Sequence, residues 1–298
     1  MSTPELVVAG NLNVDLVVGK VADWPGWGRE VLVGHADRRP GGIAHAAFAL
    51  AALGAPVAVV ACVGDDDAGS YLVDALAAAG VNVSAARRVP GEATGLSLSV
   101  VRDDGERTFF TYQGALLAEA PDVLLGRTPD APRWVLLSGL MLLPEAPAAD
   151  VVQAMGRVRA VGGAVAVDPG WDPAGWPEAR RQWAQAILRA ADVALVNEDE
   201  ARALGLLESP TAGAAGGLVA IKQGGRGATL VGGDGEHRIA GAAVEAVDTV
   251  GAGDVWNAAF LSRLRAGASP PQAAAYANAM GRRYVAGDVG PDRYPREG

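Results

Sequence analysis

Short apolar runs alternate with longer segments in which apolar residues recur every three or four positions. The short runs are rich in valine, leucine and isoleucine, which is typical of buried strands, and the longer segments have the period of helices packed on one face. From residue 134 onward the two patterns alternate regularly. This order predicts a mostly parallel sheet with helices on both faces.

The pattern can be divided into individual elements. The predicted buried strands are residues 6–9, 57–63, 134–138, 164–168, 193–196 and 218–221. The predicted helices include residues 46–53, 151–161, 182–191, 255–264 and 273–285. A helix that ends at Gly80 is expected to open near Asp65-Asp66-Asp67, where acidic residues favour a helix start over a metal cluster.

Other segments alternate between apolar and polar residues, as half-exposed strands do. Residues 14–18 and 31–38 follow this pattern. Two pairs of runs are separated by turn residues and predict hairpins, 94–101 with 107–112 around Asp103-Asp104-Gly105, and 228–231 with 237–240.

Composition limits the functional classes. The chain has 298 residues, half of them apolar, and a formal net charge of −9. It has no basic tract, so a nucleic-acid partner is not expected. No stretch is long and apolar enough to cross a membrane, and Met1 to Glu5 is polar, so a cytoplasmic location is expected. The single cysteine, Cys62, rules out a disulfide framework.

The most informative stretch is Asp248-Thr249-Val250-Gly251-Ala252-Gly253-Asp254. It lies between an apolar run, residues 242–247, interpreted as a strand, and the predicted helix 255–264. Small residues at a helix start expose backbone amides to an anion, and phosphate is the usual one. Asp254 would repel a phosphate but could take a proton from an attacking hydroxyl. The alternative is a tight turn with Asp254 as helix N-cap.

This stretch resembles the second signature of the ribokinase-like (PfkB) carbohydrate kinases, and further features follow in the family's order. The resemblance implies a three-layer α/β/α sandwich with a mostly parallel central sheet and a small β-sheet lid. It implies one kinase domain over residues 1–298, with lid segments at about 14–39 and 94–112. The implied reaction is ATP-dependent phosphorylation of a hydroxymethyl group on a sugar or sugar-like substrate.

The resemblance also implies roles for particular residues. Asp254 would be the general base, and the amides of Gly251, Ala252 and Gly253 would form the anion hole. ATP would contact Asn197, Lys222, Gly224, Gly227 and Asn278. Asn197 and Glu200 match an asparagine-x-x-glutamate motif that suits Mg²⁺, through water, although a helix cap explains them equally well. Asp248 and the Val250 carbonyl would hold a monovalent cation such as K⁺.

On the acceptor side, the resemblance assigns sugar binding to Asn13, Asp15, Gly41 and Gly42. His45 stands where the family's first signature has an asparagine, and the glycine loop before it is one residue short. His45 is either a substrate ligand or a structural residue. Exposed Trp24 and Trp27 could form a homodimer contact through the lid, stack on substrate or simply pack.

Three other functions are alternatives to a sugar kinase. The nearest is a nucleoside kinase of the same fold, which the lid aromatics and the altered glycine segment leave open. A non-catalytic sugar or nucleotide sensor is disfavoured by the intact Asp254, Asn197 and Glu200. A dinucleotide-dependent dehydrogenase is disfavoured because no glycine-x-glycine-x-x-glycine follows the first strand.

Overall fold

The computed structural model describes residues 4–24, 26–103, 107–207, 217–290 and 293–296. The strands in these ranges are β1 (Leu6–Gly10), β2 (Leu12–Val21), β3 (His35–Gly42), β4 (Val57–Gly64), β5 (Asn82–Val89), β6 (Leu96–Arg102), β7 (Arg107–Tyr112), β8 (Trp134–Ser138), β9 (Ala164–Asp168), β10 (Val193–Asn197), β11 (Leu218–Lys222), β12 (Gly227–Gly232) and β13 (Gly235–Ala240). The α-helices are α1 (Ala44–Ala52), α2 (Asp67–Ala78), α3 (Pro121–Gly126), α4 (Ala148–Ala160), α5 (Glu178–Ala190), α6 (Glu198–Ala203), α7 (Ala252–Arg265) and α8 (Pro270–Val285). None of these helices combines the length and apolarity needed to span a membrane.

The larger sheet has nine strands in the order β13-β12-β11-β10-β9-β8-β1-β4-β5. Seven neighbouring strands, from β11 to β5, run parallel, and the β12–β13 hairpin extends the β11 edge antiparallel. Alternate residues of β1 enter opposite cores: Leu6 and Val8 pack with α1, α7 and α8, whereas Val7 packs with α3, α4 and α5. The predicted three-layer sandwich with a mostly parallel sheet is therefore confirmed.

The smaller sheet has four strands in the order β3-β2-β6-β7. β2 pairs antiparallel with β3 and parallel with β6, and β6 pairs antiparallel with β7. The predicted lid segments thus form one sheet, as expected. Residues 104 and 105 of the predicted hairpin turn lie outside the described ranges.

Several predicted boundaries were wrong. Residues 242–247 form no strand; they are exposed, and β13 ends before them. The strand expected at residues 31–38 begins only at His35, since Val31, Leu32 and Val33 are exposed and unpaired in any sheet. All five helices with predicted bounds begin two to four residues earlier than expected: α1 at Ala44, α4 at Ala148, α5 at Glu178, α7 at Ala252 and α8 at Pro270.

The capping interpretation of the triple aspartate is confirmed. Asp66 is the N-cap of α2, and its Oδ1 accepts a hydrogen bond from the Gly69 amide at 2.7 Å. The same carboxylate accepts from the Thr94 amide and hydroxyl, so it also joins α2 to the segment before β6. These bonds hold the pKa of Asp66 below its usual value against the opposing effect of burial.

The topology determines where a ligand can bind. The last residues of four adjacent parallel strands are Ser138, Asp168, Asn197 and Lys222, on β8 to β11. The carboxyl ends of parallel strands meet at one edge of a sheet, which is the usual ligand edge of α/β proteins. Sheet order alone therefore gathers these four polar side chains at one place.

Candidate active site

A cavity of about 660 Å³ opens at the carboxyl edge of the large sheet. It is lined by polar residues and glycines from the strand ends, the first turn of α7 and the small sheet, including Asn11, Gly42, Ser138, Asp168, Asn197, Glu200, Lys222, Gly253 and Asp254. Its size is in the range of small-molecule sites. The cavity joins Asn197 and Asp254, and Asp15 is hydrogen-bonded to Asn13 beside Asn11 at its border.

The start of α7 is shaped by Gly251. This residue is the helix N-cap and has φ +81°, a left-handed conformation that glycine adopts without strain. A Cβ at Gly251 would also lie 2.6 Å from Cγ of His45. Glycine is therefore needed at position 251 both for its backbone conformation and because His45 leaves no room for a side chain. Since Gly251 is the N-cap of α7, the interpretation of Asp254 as the N-cap was wrong.

The first turn of α7 offers amides to an anion. Ala252 donates to the Thr249 carbonyl at 3.2 Å, within the turn that precedes the helix. The amides of Gly253 and Asp254 follow, at positions for which a helix provides no carbonyl partner. A Cβ at Gly253 would lie 3.6 Å from Lys222 Nζ, so these amides and an ammonium group converge. The geometry suits a phosphoryl group.

Asp254 lies in this first turn and lines the cavity. Burial is the largest cause that raises its pKa, which reaches about 6; the nearby carboxylates of Asp168 and Asp15 also raise it, while His45 and Lys222 oppose the shift. A carboxylate with a pKa near 6 is ionised at neutral pH yet remains a useful proton acceptor.

Lys222 is held by a buried polar network that the sequence analysis missed. Its Nζ donates to Asp168 Oδ2 at 2.8 Å and to Asn257 Oδ1 at 3.0 Å. Asn257 Nδ2 donates to the same Asp168 oxygen at 2.6 Å. Asp168 and then Glu200 raise the pKa of Lys222 despite its burial, so the ammonium remains charged.

Asn197 and Glu200 form a complete capping box at the start of α6. Asn197 Oδ1 accepts from the Glu200 amide, and Glu200 Oε2 accepts from the Asn197 amide, each at 2.8 Å. Burial, and then the charge of Asp168, raise the pKa of Glu200 to about 7. Both residues also line the cavity, so the cap and a role at the site coexist.

The site has the donor chemistry that Mg²⁺ prefers. Negative charge is concentrated here: after burial, the Asp168 carboxylate helps to raise the pKa of both Glu200 and Asp254, and Asp254 also raises that of Glu200. A divalent cation would relieve this repulsion. No three acidic or histidine side chains in the described ranges are close enough to enclose a metal by themselves, so water and phosphate oxygens would complete its coordination.

A chain of polar side chains leads from the cavity into the small sheet. Asn11 donates to Asn13 at 3.3 Å, and Asn13 donates to Asp15 Oδ1 at 2.7 Å. His45 lies 3.4 Å from Asp15 Oδ2 through Nε2 and 2.9 Å from the Tyr294 hydroxyl through Nδ1. His45 is buried within α1 and braces Asp15, a contact that a structural residue or a ligand-positioning residue would make.

The two predicted substrate glycines make room for this chain. A Cβ at Gly41 would lie 2.2 Å from the Asp15 carboxyl carbon, and a Cβ at Gly42 would lie 2.0 Å from the Asn11 carbonyl oxygen. Gly42 also has φ +58°. Both positions need glycine so that β3 can approach the polar side chains of β2 closely.

The predicted ATP residues lie on the opposite side. Gly224, Gly227 and Asn278 line the cavity, together with Ala242, Ala243, Val244 and Ala246 of the run mistaken for a strand. Asn278 Oδ1 accepts from the Trp256 indole at 2.8 Å, and its Nδ2 donates to the Ile239 carbonyl at 3.2 Å. The amide of Asn278 therefore braces α7, α8 and β13 around an apolar wall.

The predicted cation ligands have protein partners. Asp248 Oδ2 accepts from Arg39 Nη1 at 2.7 Å, and the Val250 carbonyl accepts from the Tyr284 hydroxyl at 2.7 Å. The Val250 amide bond and then Arg39 hold the pKa of Asp248 below its usual value, against burial. Burial raises the pKa of Tyr284 to about 12, so its hydroxyl remains a donor at neutral pH.

Comparison with known proteins identifies the family of this fold and site. The sequence model of the pfkB family carbohydrate kinases matches residues 3–286. The chain belongs to the pfkB family of carbohydrate kinases.

Individual members of this family support the same assignment. The chain is 31% identical over 278 residues to an ATP-dependent ribose-1-phosphate kinase of Halopiger xanaduensis, covering 92% of this chain and 89% of the relative. It is 28% identical over 243 residues to a fructokinase of Escherichia coli, covering 76% of each. The fold matches Arabidopsis thaliana ribokinase, solved with ribose and ATP, with a TM-score of 0.79 at 24% identity over 99% and 96% of the two chains.

The sequence contains a local indication for two residues of this site that the sequence analysis did not name. Asp168 ends a buried strand, as Asn197 does, and a polar residue at that position belongs to the ligand edge. Asn257 is a polar residue in the apolar part of α7, three positions after Asp254. Tyr294 and Arg39 had no local signal, since their partners are distant in sequence.

The network around Lys222 yields a stability prediction. Asp168→Ala leaves the buried ammonium without its carboxylate, so the free energy of unfolding should fall by about 3–5 kcal/mol. The control is Asp199→Ala, which removes an exposed pair with Arg202 and should change stability by less than about 0.5 kcal/mol. Urea unfolding followed by circular dichroism measures both. Equal, small losses would show that Asp168 does not hold Lys222 as described.

Proposed function

We propose that this carbohydrate kinase transfers the γ-phosphoryl group of ATP to a hydroxymethyl group of a sugar or sugar-like acceptor. The observation that carries the proposal is the convergence of Asp254, the first-turn amides of α7 and Lys222 at one end of a single cavity. The polar chain that begins at Asn11 borders the same cavity. A proton acceptor, an anion site and a hydroxyl-binding surface are the parts that this reaction requires.

In the proposed step, Asp254 takes the proton of the acceptor hydroxyl as its oxygen attacks the γ-phosphorus. The new phosphorus–oxygen bond forms, the bond to the bridging oxygen of ADP breaks, and ADP carries that electron pair away. The amides of Gly253 and Asp254, at the positive end of α7, stabilise charge on the moving group, with Gly251 and Ala252 setting their position. Lys222, fixed by Asp168 and Asn257, steadies the nucleotide phosphates.

Other residues would hold the reactants. Mg²⁺, held through water by Asn197 and Glu200, would neutralise phosphate charge when bound. The wall formed by residues 242–246 gives adenine an apolar surface, beside Gly224, Gly227 and Asn278. Asn13 and Asp15 would bind acceptor hydroxyls, with Gly41 and Gly42 allowing close approach and His45 orienting Asp15.

The substrate is proposed at the level of a class. Ribose, fructose, ribose 1-phosphate, 2-keto-3-deoxygluconate, adenosine and other nucleosides, each supplied with ATP and Mg²⁺, would be compared by ADP release. Preferred turnover of a sugar supports the proposal. Preferred turnover of a nucleoside would show that the enzyme is a nucleoside kinase of the same fold. Binding without turnover across the panel would favour a sensor.

The proposal extends to the assembly and setting of the enzyme. We treat residues 1–298 as one kinase domain because both sheets border one cavity, and we place an ATP-using enzyme in the cytoplasm. On β7 of the small sheet, Phe110 and Tyr112 are exposed on one face, and the exposed Trp24 packs its ring against Phe110 at 5.5 Å. Such a patch favours association, so we propose a homodimer through the lid.

The lid dimer is tested by sedimentation equilibrium. Wild-type protein should sediment as a dimer, and Phe110→Asp should sediment as a monomer because it places a charge in the apolar patch. Val161→Asp, at another exposed apolar position on the large-sheet side, is the matched control and should remain dimeric. A monomeric wild-type protein would end the dimer proposal without affecting the kinase assignment.

The base assignment gives a prediction for Asp254→Asn. This change keeps the shape of the side chain and removes the proton acceptor, so kcat should fall by roughly 10²–10⁴. ATP binding, measured by calorimetry, should persist because the amides and Lys222 remain. The exposed Asp150→Asn variant makes the same chemical change on α4 and should keep full turnover. An Asp254→Asn enzyme with wild-type kcat would remove Asp254 from the mechanism.

The raised pKa of Asp254 predicts a pH profile. Only the ionised carboxylate accepts a proton, so kcat/KM should be half-maximal near pH 6, level off about one pH unit above it and fall about tenfold per pH unit well below it. The low residual activity of Asp254→Asn should lack this acidic limb. A wild-type profile that stays flat down to an unperturbed carboxyl pKa near 4 would contradict the assignment.

A further inference from the structure

The loop before α7 contains two oxygen groups that the family resemblance assigned to a monovalent cation. In this structure both are engaged by the protein itself: Arg39 Nη1 donates to Asp248 Oδ2, and the Tyr284 hydroxyl donates to the Val250 carbonyl, each at 2.7 Å. The Val250 amide donates to Asp248 Oδ1 at 2.9 Å. These residues therefore do not fit a cation site in its usual form.

The charge at this place is already positive. A second guanidinium, that of Arg107, lies 3.5 Å from Asp248 Oδ1. Two arginines therefore face the Asp248 carboxylate, while Asp15, opposite Arg39 in the β2–β3 pair, offsets part of the charge of Arg39. The side chains of Arg39 and Arg107 are only 13% and 18% exposed. Water therefore screens them weakly, and their field would repel an incoming cation.

These arginines lie directly behind the anion site. Asp248 and Val250 precede Gly251, the N-cap of α7, and the first-turn amides follow within three residues. In the small sheet, Arg39 is directly opposite Asp15, the proposed acceptor ligand. Arg107 is at the start of β7 in the same sheet. The small sheet therefore brings fixed positive charge to the loop that would receive the phosphoryl group.

We propose that Arg39, assisted by Arg107, supplies to the Asp248–Gly251 loop the positive charge that a monovalent cation would otherwise bring, so that phosphoryl transfer is independent of K⁺. Arg39 is a positioning residue, because it acts through Asp248 and not by contact with the reacting atoms. The inference rests on the proposed kinase reaction, but its cation dependence can be measured separately.

The first experiment compares wild-type turnover in potassium, sodium and tetramethylammonium chloride at equal ionic strength, with Mg²⁺ and ATP constant and the best acceptor from the panel. The three rates should agree within about twofold. A rise of about tenfold or more in potassium alone would overturn the inference and leave the kinase assignment standing. Both outcomes require turnover in at least one salt. If no salt gives turnover, the kinase assignment itself has failed.

The second experiment removes the charge. A unit charge roughly 10 Å from the phosphoryl group, in an effective dielectric of about 20, changes a rate on the order of tenfold. Arg39→Ala should lose about this much kcat in tetramethylammonium, while Arg39→Lys should retain most of it. Low guanidinium should restore part of the Arg39→Ala rate, and neutral urea of the same shape should not. A structural role alone would not give this difference between guanidinium and urea.

Arg38→Ala is the matched control. Arg38 is the neighbouring arginine on β3, but its guanidinium stacks over the Tyr71 ring at 4.4 Å. Its removal should leave kcat within about twofold of wild type. If Arg39→Ala and Arg38→Ala have the same kcat, the inference is overturned. If Arg39→Ala does not fold, Arg107→Ala takes its place, with a smaller loss of the same sign.

A third measurement needs no acceptor. The melting temperature of wild-type protein should be the same in potassium and in sodium chloride at equal ionic strength, because no selective cation site stabilises the folded state. A potassium-specific rise in melting temperature would show that a cation binds despite the arginines, and would overturn the inference even if no substrate had been found.

Discussion

The structure depends on how carboxylates are kept charged at the buried edge of a parallel sheet. Asp168 ends β9, Glu200 lies in the first turn of α6 just after β10, and Asp254 enters from α7. Burial and mutual repulsion raise the pKa of Glu200 to about 7 and that of Asp254 to about 6. Lys222 opposes both shifts, and His45 also opposes that of Asp254. In the proposed reaction, this local balance lets a phosphate site and a proton acceptor lie side by side.

The small sheet takes part in this balance. Its β2 strand carries Asn13 and Asp15 to the border of the cavity, and α1 supports them through His45. Its β3 and β7 strands carry Arg39 and Arg107 to Asp248. The small sheet therefore contributes both polar side chains beside the cavity and positive charge next to Asp248.

Hydrophobic pattern was sufficient for the buried parallel strands of the large sheet, because they are short, continuous and bounded by polar residues, but it missed the partly exposed edge strand β5. The predicted strands 134–138 and 164–168 match β8 and β9 to the residue. The pattern failed at residues 242–247, where apolar side chains line a ligand cavity and do not enter the core. Motif resemblance named Asp254 and Lys222, but Tyr294 and Arg39 act through contacts with distant residues that local pattern does not contain.

The most direct test is a crystal structure with ADP, Mg²⁺, aluminium fluoride and the best acceptor, in which the fluoride complex stands in for the phosphoryl group in flight. The account predicts that it lies on the first-turn amides of α7 within reach of Lys222, with the acceptor oxygen hydrogen-bonded to Asp254. A complex seated elsewhere in the cavity, or an acceptor oxygen remote from Asp254, would contradict it.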